Sequence, residues 1–166
     1  MDEAVQAIVA AKPDGVVQIS SYKSCAAFIR EARKAGYGGQ FFNVSFVGTK
    51  ALSDELDKDA LGVVVSQVMP YPFSGVVPIV RDYLDAVKAA GDATANYSSL
   101  EGYIDARIFV EGLRRSHANT REGLASGLES LQHVDFEGFN LNFGREHAAS
   151  HFVELSMLTA DGGVRR

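Results

Sequence analysis

Between Val16 and Ala90 short β-branched and aromatic runs alternate with stretches of helical period, and each change of period falls on turn chemistry. Val5, Ile8 and Val9 give a first helical face, which Lys12-Pro13-Asp14-Gly15 stops. Val16, Val17 and Ile19 predict a short buried strand. A helix follows over residues 22–35, with Ala26, Phe28, Ile29 and Ala32 inward and Gly36 suited to a left-handed C-terminal cap. A glycine turn over residues 36–39 leads to a second strand at 40–46, a short helix at 49–57, a third strand at 61–69 and a helix at 76–90 ended by Gly91. Strand and helix in strict succession require a parallel sheet with right-handed crossovers. The expected class is α/β, a three-layer parallel sheet with helices on both faces.

After Asp92 the alternation stops. Two helices come in succession, over 96–115 and 119–131, with capping boxes expected from Ser98 with Glu101 and from Asn119 with Glu122. The first, NYSSLEGYIDARIFVEGLRR, has two apolar sides. Leu100, Ile104 and Ile108 recur every fourth residue, and Tyr103, Ala106, Phe109, Val110 and Leu113 form a second face. Two such sides call for two sets of partners. Phe139, Leu141 and Phe143 alternate with asparagines as a half-exposed strand, and another is expected over 152–158.

Three stretches carry a resemblance. SLEGYIDARIFVEGL resembles the crossover helix of type I periplasmic ligand-binding proteins, the solute receptors of branched-chain amino acid and related ABC importers. FIREARKAGYGGQFFNVSFVG is similar to a helix, glycine turn and strand of their carboxyl-terminal lobe, and FNLNFGREHAASHFVELSMLTADG to their last strands. The resemblance implies the carboxyl-terminal portion of such a receptor. Residues 1–96 would form the core of that lobe, 97–147 would be crossover helices and a strand that pack on the amino-terminal lobe, and 148–166 would return to the carboxyl-terminal lobe. It also implies a periplasmic parent, a permease as its partner, and a homodimer or rearranged packing if the helices of 97–147 lack their lobe.

Bulk properties agree with a globular chain. At 166 residues there is length for one sizeable core and little margin for two lobes. A hydrophobic content of 46% excludes a disordered chain. The longest apolar runs, such as Leu61–Val65, are strand-sized, so no membrane helix is expected. A net charge of -5 with scattered basic residues argues against a nucleic-acid surface. The opening MDEAVQAIVAAKPDG has neither a basic n-region nor an A-x-A site, so no export signal is expected in these residues.

Enzyme chemistry finds little support. No nucleophile elbow, Walker-type phosphate loop or dinucleotide glycine motif occurs, and neither cofactor nor metal is expected. Cys25 stands alone within a helical stretch as a small buried thiol. His147 and His151, beside Glu146, have a spacing that binds zinc only on a helix, and they lie between two expected strands.

Ligands of open parallel sheets bind beyond the carboxyl ends of the strands. Those ends here are Ser20-Ser21-Tyr22, Ser45-Phe46-Val47-Gly48 and Pro70-Tyr71-Pro72-Phe73, which mix hydroxyls with aromatics. Singly, each serine is equally a helix cap and each aromatic a loop filler. The resemblance adds ligand contacts at Ser21 or Tyr22, at Ser45, and at Tyr103 near the start of the crossover helix. Ser45 departs from the family pattern. Receptors for amino acids commonly hold the ligand ammonium with a carboxylate at this position, and a serine makes no charge-assisted bond to it. The ligand classes left open are amino acid-like, carboxylate-bearing and aromatic solutes. Two other functions also stay open: a cytoplasmic small-molecule sensor of the same fold, and a flavodoxin-like or hydrolase-type enzyme.

Overall fold

The structure is a computed structural model and describes residues 2–91, 94–143 and 148–166. Its elements in chain order are α1 (Asp2–Ala11), β1 (Gly15–Gln18), α2 (Tyr22–Lys34), β2 (Gln40–Val44), α3 (Thr49–Leu56), β3 (Val64–Gln67), α4 (Pro78–Ala90), α5 (Tyr97–Arg115), α6 (Arg121–Glu129), β4 (Val134–Phe136), β5 (Phe139–Leu141), β6 (Glu154–Leu158) and β7 (Val164–Arg165). They fall into two units, Met1–Val68 with Val153–Arg166, and Met69–Phe152.

The first unit is the alternating α/β region closed by the last strands of the chain. Its sheet has the order β1-β2-β3-β6-β7. β1, β2 and β3 run parallel, whereas β6 is antiparallel to β3 and β7 to β6. One core contains Val5 of α1, Cys25, Ala26, Ile29 and Ala32 of α2, Leu52 and Leu56 of α3, and the strand residues Phe41, Val65 and Leu158. The three helices therefore share one face of the sheet.

α2 shows how local sequence sets this packing. Its buried residues repeat at three- and four-residue spacing, and Gly36 stops it at φ +88°. The amide of Gly36 donates to the Arg33 carbonyl and that of Tyr37 to the Ala32 carbonyl, the two bonds of a Schellman cap. Tyr37 then packs edge-on against Phe41, with ring centroids 5.2 Å apart. Cap, turn and the next strand are thus tied together. β1 departs from expectation: Val17 is 68% and Ile19 73% exposed, because Val17 alternates with Val16 onto the face away from the three helices and Ile19 lies past the end of the strand. At the end of the chain β7 pairs with β6, and Arg166 lies 3.1 Å from Glu154.

A polar cluster joins β3, α3 and β6. Gln67 Nε2 donates to Thr49 Oγ1 at 2.8 Å and to Ser156 Oγ at 2.7 Å, and the Ser156 hydroxyl donates to the Val65 carbonyl at 3.2 Å. All three side-chain partners belong to buried residues, so these bonds are sheltered from competing water.

The second unit packs α4, α5, α6 and the β4-β5 hairpin about Ile79, Val80, Tyr83, Leu100, Ile104, Ile108, Leu131, Phe139 and Leu141. Leu100 and Ile104 are fully enclosed, and Gly112 of α5 meets α6. A Cβ on Gly127 of α6 would strike the Gly112 carbonyl oxygen, so the two helices approach as closely as they do only with glycine there.

Both capping boxes differ from expectation. Asn96 caps α5: its Oδ1 accepts from the Ser99 amide at 2.9 Å, and Ser99 Oγ accepts from the Asn96 amide. Thr120, not Asn119, caps α6, through Oγ1 and the Gly123 amide. β4 and β5 form a hairpin whose two turn residues, Glu137 and Gly138, both have positive φ, the conformation that suits a two-residue hairpin loop.

Glu101 and Asp105 lie four residues apart on α5. Desolvation by the surrounding protein raises both carboxyls above their ordinary values, and the charge of Asp105 raises Glu101 further. A raised carboxyl makes the folded state bind more protons than the unfolded one over that interval, so stability falls as pH rises through it. Asp105→Asn is expected to stabilise the chain at pH 7 by about 0.2–0.5 kcal/mol, the range for like charges at this spacing. The gain should disappear below the ordinary carboxylate range, as urea titrations at pH 7 and pH 3.5 would show.

Candidate functional site

In the first unit, two of the three strand ends carry expected ligand contacts. Beyond β1, Ser20 is exposed, Ser21 is the N-cap residue of α2, and Tyr22 begins that helix with its ring half-buried against the core. Ser21 makes no side-chain capping bond. Its Oγ lies 3.3 Å from Ser24 Oγ, and its carbonyl accepts from the Cys25 amide. The first-turn amides of α2 are therefore left without their usual side-chain acceptor.

Beyond β2, Ser45 starts a single 3-10 turn over Ser45–Val47. Val47 is buried and anchors the turn, Phe46 is 65% exposed, and Gly48 at φ +78° redirects the chain into α3. A hydroxyl at Ser45 and an outward aromatic ring at Phe46 are thus presented from this turn. Val16 registers with Phe41 and Gln18 with Asn43, so the ends of β1 and β2 are level and neighbouring. Ser20, Ser21, Tyr22, Ser45 and Phe46 are brought to one end of the sheet. What they offer is hydroxyls, free helix amides and aromatic surface, with no carboxylate among them, a set that suits an anionic or neutral polar group.

The other two expected contacts belong to the second unit. Tyr71 stacks edge-on with Phe73, with ring centroids 5.2 Å apart. Tyr103, on α5, has its hydroxyl 2.9 Å from Arg107 Nη1 and its ring 5.7 Å from that of Tyr83. Arg107 was not foreseen. It also bonds Glu137 Oε1 at 2.6 Å, lies 3.7 Å from Asp82, and stacks over the rings of Tyr103 and Phe136. The only sequence signal for it was an arginine four residues after a tyrosine on one helix.

The catalytic and metal alternatives gain nothing from this geometry. Cys25 is 1% exposed, and burial pushes its thiol above the ordinary value, which disfavours the reactive thiolate. No group of three metal-ligating side chains occurs among the described residues; Glu146 and His147 lie outside them. No helix among the described residues is long and apolar enough to cross a membrane.

The family described as periplasmic binding protein matches residues 1–163 of this sequence. The chain belongs to that family. Among solved structures it is similar to a possible leucine/isoleucine/valine-binding protein from Rhodopirellula baltica SH 1, at 35% identity and a TM-score of 0.86 over 92% of this chain and 42% of that one. It is also similar to an extracellular ligand-binding receptor from Verminephrobacter eiseniae ef01-2, at 29% identity and a TM-score of 0.84 over 99% of this chain and 48% of the other. A third is a substrate-binding periplasmic protein from Ralstonia solanacearum, at 27% identity and a TM-score of 0.84 over 98% of this chain and 48% of the other. No curated protein sequence matched. The chain thus spans a little under half the length of these periplasmic binding protein structures. The α/β class and the resemblance read from the three sequence stretches both hold.

Proposed function

We propose that these residues are the carboxyl-terminal portion of a solute receptor of an ABC importer, and that they supply one wall of a two-walled ligand site. The observation that carries the reading is the strand-end surface of the first unit. Ser20, Ser21, Tyr22, Ser45 and Phe46 sit where a parallel α/β sheet binds its ligands, and α2 presents amides that Ser21 leaves uncapped. Such a surface favours a small carboxylate-bearing solute, its anionic end on the amides and hydroxyls and its body on Tyr22 and Phe46. Branched-chain amino acids fall in this class, and the similar Rhodopirellula protein is a possible leucine/isoleucine/valine-binding protein. With Ser45 neutral, the ammonium of an amino acid would have to be met from elsewhere. The family resemblance assigns a further contact to Tyr103, and the strand-end rule one to Tyr71.

The exposed stripe of α5, with Phe109 at 49%, Val110 at 43% and Leu113 at 43%, is proposed as the face that residues 97–147 turn toward the other lobe of the receptor. Closure of two lobes on a ligand is a population shift that the ligand drives by touching both. One wall alone gives few contacts and no enclosure. Calorimetric titration of the 166-residue chain with leucine, a branched-chain 2-oxo acid and benzoate is expected to give dissociation constants of about 1 mM or weaker. Micromolar binding by this chain alone would overturn the two-walled arrangement. A longer receptor containing this chain that gains no thermal stability from any amino acid, carboxylate or aromatic solute would overturn the solute-binding reading itself.

A further inference from the structure

Asp14-Gly15 and Asp161-Gly162 both join an aspartate to a glycine. Such a junction is chemically fragile, because glycine has no side chain to keep the neighbouring carboxyl away from its amide nitrogen. The nitrogen attacks Cγ of the neutral carboxylic acid. A new N–C bond forms, the carboxyl C–O bond breaks, and the hydroxyl leaves with the amide hydrogen as water. Water then opens the cyclic imide at either carbonyl. One product is aspartate again, and the other is isoaspartate, whose main chain runs through the former side chain and is longer by a carbon.

The two junctions are held very differently. Asp161 lies in the loop that joins β6 to β7, which is closed by the Thr159 amide donating to the Gly163 carbonyl at 3.0 Å. Within it the Gly162 amide donates to the Thr159 carbonyl at 3.2 Å, so the nitrogen that would attack is engaged. Asp161 Oδ1 accepts from the Thr159 hydroxyl and from the Gly163 amide, the latter at 3.2 Å. Bringing Cγ onto the Gly162 nitrogen gives up both of these bonds. They also hold the Asp161 carboxyl below its ordinary value, the Thr159 hydroxyl foremost, which depletes the neutral acid that reacts. Ser53 of α3 donates to the Gly162 carbonyl at 3.2 Å and ties the loop to the rest of its unit.

Asp14 lies exposed between α1 and β1. Its carbonyl accepts from the Gln40 amide at 3.0 Å, which steadies the peptide plane. Its carboxylate makes no hydrogen bond or ion pair among the described residues, so rotation about the Cα–Cβ bond breaks nothing.

We propose that Asp14-Gly15 is a site of spontaneous isoaspartate formation in the folded chain, and that the Thr159–Gly163 loop withholds Asp161-Gly162 from the same reaction until it opens. The product at residue 14 lengthens the main chain where the Asp14 carbonyl meets β2.

Peptide mapping of the 166-residue chain aged at neutral pH tests this, with isoaspartate measured at each junction by carboxyl methylation and fragment mass spectra. In the folded chain Asp14 is expected to convert at least about tenfold faster than Asp161, and in guanidinium the two should convert at similar rates. Thr159→Val should speed Asp161 at least about threefold by removing one hydrogen bond, with Asp14 in the same sample unchanged. Thr159→Ser, which keeps the hydroxyl, should leave Asp161 slow. Folded chain in which Asp161 converts as fast as Asp14 overturns the proposal. So does a Thr159→Val variant no faster at Asp161 than the parent, and so does a Thr159→Ser variant as fast as Thr159→Val.

Discussion

Ile104→Ala is expected to destabilise the chain by about 2–5 kcal/mol, the range for removing a buried Ile or Leu side chain. Ile104 is 0% exposed at the centre of the second core, between Leu100 and Ile108 on α5. The higher helix propensity of alanine offsets only about 0.4 kcal/mol of that loss. Phe109→Ala, on the other stripe of the same helix, removes more atoms but a side chain 49% exposed. In this chain it should shift stability by no more than about 0.5 kcal/mol. Urea denaturation of both variants separates the stripe that the chain satisfies itself from the stripe that another lobe would cover. Equal losses would show that Phe109 is already buried, by self-association or otherwise. In a longer receptor the Phe109→Ala loss should grow toward that of Ile104→Ala.

Gln67→Leu comes second, at an expected cost of about 2–3 kcal/mol. Leucine has nearly the volume of glutamine, so no large cavity opens and packing contributes little. What is lost is the pair of bonds from Nε2 to Thr49 Oγ1 and Ser156 Oγ, both in buried surroundings. Ser156 keeps its bond to the Val65 carbonyl, which limits the damage on that side. Removing the partners as well should recover much of the loss, because a fully apolar cluster leaves nothing unpaired. The triple variant Gln67→Leu, Thr49→Val, Ser156→Ala is thus expected to be more stable than Gln67→Leu alone. A triple variant no better than the single one would mean that the cost comes from shape, not from stranded hydroxyls.

The alternation from α1 to α4 was legible because period, β-branching and glycine stops agreed at each boundary, as at Gly36 and Gly91. The caps of α5 and α6 were misjudged where local chemistry allowed two answers. Asn96 with Ser99 and Ser98 with Glu101 both have box spacing; the Tyr83 hydroxyl, which accepts from the Asn96 amide at 3.0 Å, favours the first. That contact comes from α4 and has no local signature. β4 and β7, with three and two residues, are too short to show a period. Glu137-Gly138 hid the hairpin because the first position usually holds asparagine or aspartate. At the strand ends, the rule for open sheets named the loops at Ser20–Tyr22 and Ser45–Phe46 before any geometry was known. Whether Ser21 caps α2 or leaves its amides free depends on a rotamer, which sequence does not carry.

The place of β6 in the sheet bears on how the chain is made. Residues 154–158 pair with β3, so until they emerge from the ribosome β3 is an edge and the first sheet lacks its last two strands. At about 5–20 residues per second, synthesis from Gln67 to Glu154 takes on the order of 4–17 s. Through that interval the β3 margin of the half-sheet stays open, a substrate for holding chaperones. The inserted unit, Met69–Phe152, is fully translated first. The middle of this polypeptide can finish folding before its beginning does.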